Sequence, residues 1–425
     1  MTLWIILEGF KLKKNITKKT KCVLCGSKKL KKVLDFKKTP LANSYVKSTK
    51  IIEKHYPLIC VLCIECKHLQ LQYLVNPKIL FEDYMYVSGT SSVLVKHFEN
   101  YFNKIKKSIK LNKKKDKILD IGCNDGTFLN FFKKDKFKNV IGIEPAKNLR
   151  KLNKEKKIDI NTDFFNYKSS FIYKKKYKEF KVITANNVFA HVPNLKDFAL
   201  GIKNILAQDG LFIFEVSYLK DVLKKLTFDT IYHEHMSYHS LKPLLKFFKS
   251  INLEVVNFDL VEAQGGSIRV YVGHKNSKIN KSKINRQVKI EKKFGLFSTK
   301  KYLDYFKKIE SQKNKIKILI KKNIDNNKLF AGYGAPAKVT TFCHVFGLGK
   351  KEIKFIFDDN DLKQGKYTPG KNIKIINFQK LQNLDFDFII ILAWNFADPI
   401  IKKLKKNIKN KKFKIIVPFP NLKVI

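Results

Sequence analysis

The sequence predicts an α/β protein with a small cysteine-rich module at its front. Three observations carry that expectation. Short β-branched runs alternate with helical stretches from residue 118 to about 278, and again from about 328 onward. A lysine-rich stretch with helical periodicity, 279–327, separates these two α/β units. Five of the seven cysteines fall within the first 66 residues, in CxxC spacing. A chain of 425 residues has room for two or three domains, and the pattern divides it at 20–90, 91–278 and 279–425.

The opening run "MTLWIILEGF" has no basic residues ahead of it, carries Glu8 and lacks a small-residue cleavage site, so it reads as no signal peptide. No apolar stretch reaches the length of a membrane span. The cysteine pattern suits a reducing compartment, and the expectation is a soluble, cytoplasmic monomer. "CVLC" at 22–25 and "CIEC" at 63–66 are separated by 37 residues. Two such turns can close a tetrahedron of thiolates around zinc if the segment between them forms a small sheet. Four thiolates leave no open position, so the metal at Cys22, Cys25, Cys63 and Cys66 would be structural. Cys60 offers a competing register, but it sits in the apolar run "YPLICVL" and reads as buried.

Residues 92–110 read as a helix. The strands expected of the first α/β unit are 118–121, 140–143, 182–185, 211–215, 253–259 and 267–272, in a mainly parallel sheet. Residues 279–327 form one long connecting helix or a pair of helices. Strands at 328–331, 355–358, 388–393 and 414–417 build the second unit, and no repeat links the two units.

The net charge of +51 invites a nucleic-acid reading. Only three of the 87 basic residues are arginine (Arg150, Arg269 and Arg286), and arginine is the usual reader of phosphates and base edges. The lysines are spread along the whole chain, which favours a solvated surface over a nucleic-acid or membrane partner.

"ILDIGCNDGTFL", 118–129, is a strand, a glycine turn and a helix start with the spacing Asp-x-Gly-x-x-x-Gly. Gly122 and Gly126 let a ligand approach the backbone. Glu144 ends the second strand about 20 residues on, placed to accept from ribose hydroxyls. Asp163-Phe164-Phe165, read as following a third strand, flanks an adenine. The pattern resembles motif I and the acidic position of class I S-adenosylmethionine (SAM) methyltransferases. The cofactor residues would then be Asp120, Gly122, Asn124, Gly126, Glu144, Phe164 and Asn187.

Further blocks extend the resemblance to nearly everything after residue 20: "CVLCGS", "TPLANSYV", "YMYVSGTS", "NNVFAHVPNL", "FDTIYHEHMSYHS", "GGSIRVYV", "GYGAPAKVTTF", "FDDNDLKQGKYTPG" and "LAWNFADPI". In this order they resemble the sugar C-methyltransferases that act on nucleotide-linked keto-deoxysugars. The resemblance implies a zinc module, a SAM domain and a C-terminal Rossmann-like domain around one active site. It implies catalytic roles for Tyr86, His191, Tyr232, Glu234 and His235. The tail before Cys22 matches nothing in it and reads as a start-site artefact, and Cys60 is a departure.

His233, His235 and His239 could be metal ligands by type. A strand or loop puts 233 and 235 on one face but displaces 239, and thiolates already provide for zinc. A carbon beside a ketone instead needs a base, and histidine titrates near neutral pH. His235 is the expected base, with Tyr232 and Tyr86 as donors to an enolate oxygen. Taken alone, each histidine would be an ordinary hydrogen-bonded structural residue. "GYGAPA" matches G-x-G-x-x-A with Asp358 after the next strand, which by itself suggests an NAD-dependent dehydrogenase. Beside a SAM site it reads as a cradle for the sugar's diphosphate, with Pro336 in a helix first turn. Gly332, Gly334, Lys338, Asp358 and Arg269 would be substrate residues. The alternatives are O- or N-methylation of a nucleotide-sugar, and a zinc-containing nucleic-acid-binding protein.

Overall fold

The computed structural model describes residues 15–425 apart from 83, 276 and 409–411. The opening run 1–10, and most of the tail before Cys22, lie outside these described residues.

One sheet has seven strands, ordered Leu253–Val261, Ser267–His274, Leu206–Ser217, Phe180–Asn186, Lys117–Ile121, Asn139–Ile143 and Asp159–Asn161. The five from Leu206–Ser217 onward are parallel, and the first two add antiparallel pairs. Lys117–Ile121 has the next strand in sequence on one side and a later strand on the other. The strand order therefore reverses beside it, and ligands of open α/β sheets bind beyond the carboxyl ends of the strands at such a point. All six expected strands of this unit are present. The seventh, Asp159–Asn161, is three residues long and is the strand read, without bounds, ahead of Asp163.

The second sheet runs Lys374–Asn377, Phe355–Asp358, Phe330–Tyr333, Phe388–Ile391, Lys414–Val417 and Lys423–Val424, parallel except for the last pair. Its first strand starts at Phe330, two residues later than expected, because the Leu329 N–H donates to the Asp387 carboxylate instead of a ladder carbonyl. The connection is a pair of helices, Lys281–Phe294 and Thr299–Asp325. Gly295, at φ +90°, ends the first of them in the left-handed conformation that glycine adopts at little cost.

The cysteine-rich module is an antiparallel sheet of Leu30–Thr39, Tyr56–Cys63 and Leu69–Leu71. Its fourth strand, Ser237–Tyr238, arrives from far along the chain and pairs with Leu69–Leu71. The stretch 229–240 is thereby fastened to the module. Phe228, fully buried, anchors its start against Phe36 of the module and Phe346 and Phe419 of the second unit. Truncation of a phenylalanine in such a place costs about 3–5 kcal/mol.

Candidate active site and zinc centre

The two CxxC turns have the same local build. In each, the first cysteine's carbonyl accepts from the residue four on (Gly26, Lys67), and its N–H donates to the carbonyl five on (Ser27, His68). Gly26 and Lys67 both take positive φ to close the turn. The Sγ atoms of Cys22 and Cys66 lie 3.5 Å apart and those of Cys25 and Cys63 3.6 Å, with all four within 4.8 Å of one another. Zinc bonded tetrahedrally at about 2.3 Å wants sulfurs about 3.8 Å apart, so donor type and spacing both fit. Cys60 sits in the same strand as Cys63, fully buried in the module's core, and burial pushes its thiol up.

The first glycine turn follows Lys117–Ile121. Gly122, at φ +69°, donates its N–H to the Ile143 carbonyl at 2.7 Å, which closes the turn on the neighbouring strand. The buried Glu144 carboxylate accepts from the Asn124 N–H at 2.7 Å and the Ala146 N–H at 2.9 Å, while burial pushes its pKa up. A carboxylate has about four lone-pair sites, so two remain for ribose hydroxyls. Asp120 is pushed up to about 7 by burial, against a hydrogen bond from Thr184. The turn opens on a cavity of about 560 Å³ lined by Asp120, Gly122, Asn124, Glu144, Phe164 and Asn187. Asn186 also lines it, and its Oδ1 is buried with no partner among the described residues. These residues fit SAM. Asp163 is exposed and does not line the cavity, whereas Phe164 and Phe165 do.

The same cavity continues to Tyr86, His191, Tyr232, His235 and Lys338. The stretch holding the three histidines is a turn, with the His235 N–H donating to the Tyr232 carbonyl at 3.0 Å, so its side chains diverge. His233 Nε2 meets the Tyr56 carbonyl at 3.2 Å and His239 Nε2 the Phe189 carbonyl at 3.4 Å, both inside the protein. His235 Nδ1 lies 2.6 Å from the Thr230 carbonyl. A carbonyl only accepts, so Nδ1 carries the hydrogen and Nε2 keeps its lone pair. Burial pushes His235 down to about 4, against that hydrogen bond, and leaves it neutral at pH 7. Its ring stacks on His191 with centroids 5.1 Å apart and packs on Tyr232 at 4.2 Å.

Three family models match the chain in order: a zinc binding domain over 22–81, a methyltransferase domain over 96–257 and a C-methyltransferase C-terminal domain over 262–420. The C-methyltransferase NovU of Streptomyces niveus is 30% identical over 407 residues, covering 95% of this chain and 96% of that one. The chain belongs to the C-methyltransferase family. Solved structures with partial likeness include a SAM-dependent methyltransferase from Anabaena variabilis (12% identical, 41% of this chain and 84% of that one, TM-score 0.34). A Pyrococcus horikoshii protein is 14% identical over 47% of this chain and 98% of its own, with a TM-score of 0.36.

As a SAM-dependent C-methyltransferase with a structural zinc, the chain places several expected residues differently. Glu234 does not line the cavity: its carboxylate accepts from Asn43 Nδ2 at 2.6 Å and the Tyr84 hydroxyl at 3.0 Å behind the wall. Burial pushes it up to about 7 against those two bonds. Tyr84, not Tyr86, is therefore the tyrosine of "YMY" tied to Glu234, and neither Asn43 nor Tyr84 was expected from the sequence. Both lie in blocks already singled out, "TPLANSYV" and "YMYVSGTS", which was the available signal. The Asn124 side chain is engaged by the backbone of Tyr86 and Ser88. Gly126 caps the helix Thr127–Lys134 at φ +73° outside the cavity.

The expected substrate set needs more correction. Arg269 lies on an interior strand, forms two hydrogen bonds to Glu215 at 2.7 and 2.9 Å, and stacks on Tyr101 at 3.5 Å. It balances a buried carboxylate and does not line the cavity. Asp358 accepts from the Ala335 N–H at 2.6 Å and the Asn360 N–H at 2.8 Å, which occupies an amide that a diphosphate would have needed. Gly332 is a strand residue whose added Cβ would meet Leu392 and Ile356 at under 3.0 Å; neither it nor Gly334 lines the cavity. Pro336 precedes the helix, which starts at Val339. Lys338 does line the cavity, bonded to Asn395 and 4.0 Å from the buried Asp229, with its pKa lowered by burial. A second lysine there, Lys363, escaped the sequence reading; its Nζ donates to the Ala335 carbonyl at 2.8 Å.

Proposed function

We propose that the acceptor is a nucleotide-linked keto-deoxysugar, methylated on the carbon next to its ketone by way of an enolate. The observation that carries this reading is the neutral imidazole of His235 in the cavity wall, with Nδ1 fixed on a carbonyl and Nε2 left basic. Bound SAM supplies an electrophilic methyl group. The chain's own part is to make the carbon nucleophilic. His235 Nε2 takes the proton beside the ketone, and the electron pair it leaves becomes the enolate. The imidazolium so formed regains, in attraction to the enolate, part of what burial removes. Tyr232, which packs on His235, and Tyr86, in the same cavity, are donors for the enolate oxygen. His191, whose Nε2 is buried with no partner among the described residues, is the further polar group at that end.

Lys338 and Lys363 also line the cavity and supply cations for an anionic nucleotide carrier. The test is to incubate the protein with methyl-labelled SAM and a panel of nucleotide keto-sugars and to locate the label by NMR. Label on the carbon beside the ketone supports the reading. Label on oxygen or nitrogen would remove the enolate, and no acceptance of any keto-sugar would remove the substrate class.

A further inference from the structure

Residues 84–89 cross from the cofactor turns to the His235 side of the cavity, and their backbone is held by three side chains from those turns. The Asn148 amide brackets Tyr84: its Oδ1 accepts from the Tyr84 N–H at 3.1 Å, and its Nδ2 donates to the Tyr84 carbonyl at 2.8 Å. Asn124 does the same two residues on, donating to the Tyr86 carbonyl at 2.9 Å and accepting from the Ser88 N–H at 2.8 Å. Asp125 accepts from the Gly89 N–H at 3.2 Å. The far end of Tyr84 is the hydroxyl that donates to Glu234. Asn124 and Asp125 belong to the glycine turn, and Asn148 follows Glu144 by four residues. The elements that shape the cofactor end thus also fix where Tyr84 stands. Asn148 itself is exposed and does not line the cavity.

We infer that Asn148 is a positioning residue for the methyl transfer, aiming the Tyr84 hydroxyl at Glu234 by holding the Tyr84 backbone from the cofactor side. The inference rests on the reading of His235 as the base: Glu234 is its neighbour in the chain, and Tyr84, unlike Glu234, lines the cavity. Asn148 is the side chain that grips both backbone groups of Tyr84, and misplacement by about 1 Å can cost on the order of 100-fold in rate.

The experiment compares Asn148→Ala, Asn148→Asp, Tyr84→Phe and the double variant Asn148→Ala/Tyr84→Phe in the full chain. Asn148→Ala is expected to lower kcat roughly 10- to 100-fold, while the calorimetric SAM affinity, zinc content and Tm stay at wild-type values. Asn148→Asp keeps an acceptor for the Tyr84 N–H and should recover part of the loss. In the double variant the two losses should not add, because residues acting through one contact are coupled. Hydrogen exchange of the 84–89 amides, measured by mass spectrometry without any acceptor, should quicken in Asn148→Ala. Wild-type turnover in Asn148→Ala, unchanged exchange, or full additivity with Tyr84→Phe would each overturn the proposal. Because the exchange measurement needs no acceptor, a wrong substrate class fails in the labelling experiment, whereas a wrong role for Asn148 fails here.

Discussion

Two stretches of this chain carry metal-ligating side chains at close spacing, and only one of them gathers its donor atoms together. Cys22, Cys25, Cys63 and Cys66 bring four sulfurs within 4.8 Å of one another. His233, His235 and His239 send their rings to three separate carbonyls, of Tyr56, Thr230 and Phe189. The cysteines sit on two turns of the same build whose four sulfurs converge. The histidines sit on a turn running into a strand, where successive side chains part. Donor identity and spacing are similar invitations in both stretches. What separates them is whether the backbone aims the donor atoms at one point.

The hardest blow to that contrast is aimed at the thiolates. Cys25→Ser should drop zinc from about one per chain to well below that, as read by elemental analysis, with a marked fall in Tm, because a structural zinc contributes folding free energy directly. Substitution of His233, His235 or His239 should leave the zinc content unchanged. Zinc lost from the histidine variants would break the comparison.

Next in size is His235→Asn. It should lower turnover by at least the roughly 100-fold expected of a lost general base, with SAM affinity intact. It should also slow exchange of the acceptor's proton with deuterated solvent. Near-normal turnover would move the base elsewhere, to His191 first.

Glu144→Ala touches neither cluster and sharpens the contrast from outside. It should weaken SAM binding by roughly 1–3 kcal/mol, the cost of leaving hydrogen-bonding groups unpaired, with zinc content unaltered. Calorimetry finding unchanged affinity would remove Glu144 from the cofactor site.

The smallest effect separates a buried structural histidine from a ligand. Burial holds His233 down to about 4, against its backbone partners, whereas an unfolded histidine titrates near 6.5. Between those values the native residue is neutral and the unfolded one binds a proton. Its contribution to stability is therefore fully present above pH 6.5 and is lost as pH falls toward 4. His233→Gln should make denaturant-measured stability less steep in that window, by at most about 1.4 kcal/mol per pH unit. An unaltered slope would mean that His233 is not held neutral.

Much of the fold was legible before any coordinate. Alternating β-branched runs gave the parallel strands, since buried strands need apolar side chains on both faces. Lys374–Asn377 and Lys423–Val424 were not legible, because short edge strands are specified by their neighbours' unpaired backbone groups more than by their own side chains. At the site, His235 and Glu144 could be named from their motifs. Asn43, Tyr84, Asn148 and Lys363 could not be given roles, since each acts on a partner that is remote in sequence.

The sequence by itself determined which chemistry was available: four thiolates in paired turns, a glycine turn with an acidic residue at ribose distance, and a histidine-rich stretch. These are properties of residue type and local backbone, and local forces dictate them. Tertiary structure alone decided which of those groups are free to act. Arg269 looked available for an anion until a neighbouring strand placed Glu215 against it, and the second glycine turn looked open until Asp358 took the Ala335 amide. A polar group buried without a partner is costly, so a folding chain pairs nearly all of them. Which ones it leaves unpaired among the described residues, such as Nε2 of His191 and Oδ1 of Asn186, depends on contacts that no local stretch of sequence contains.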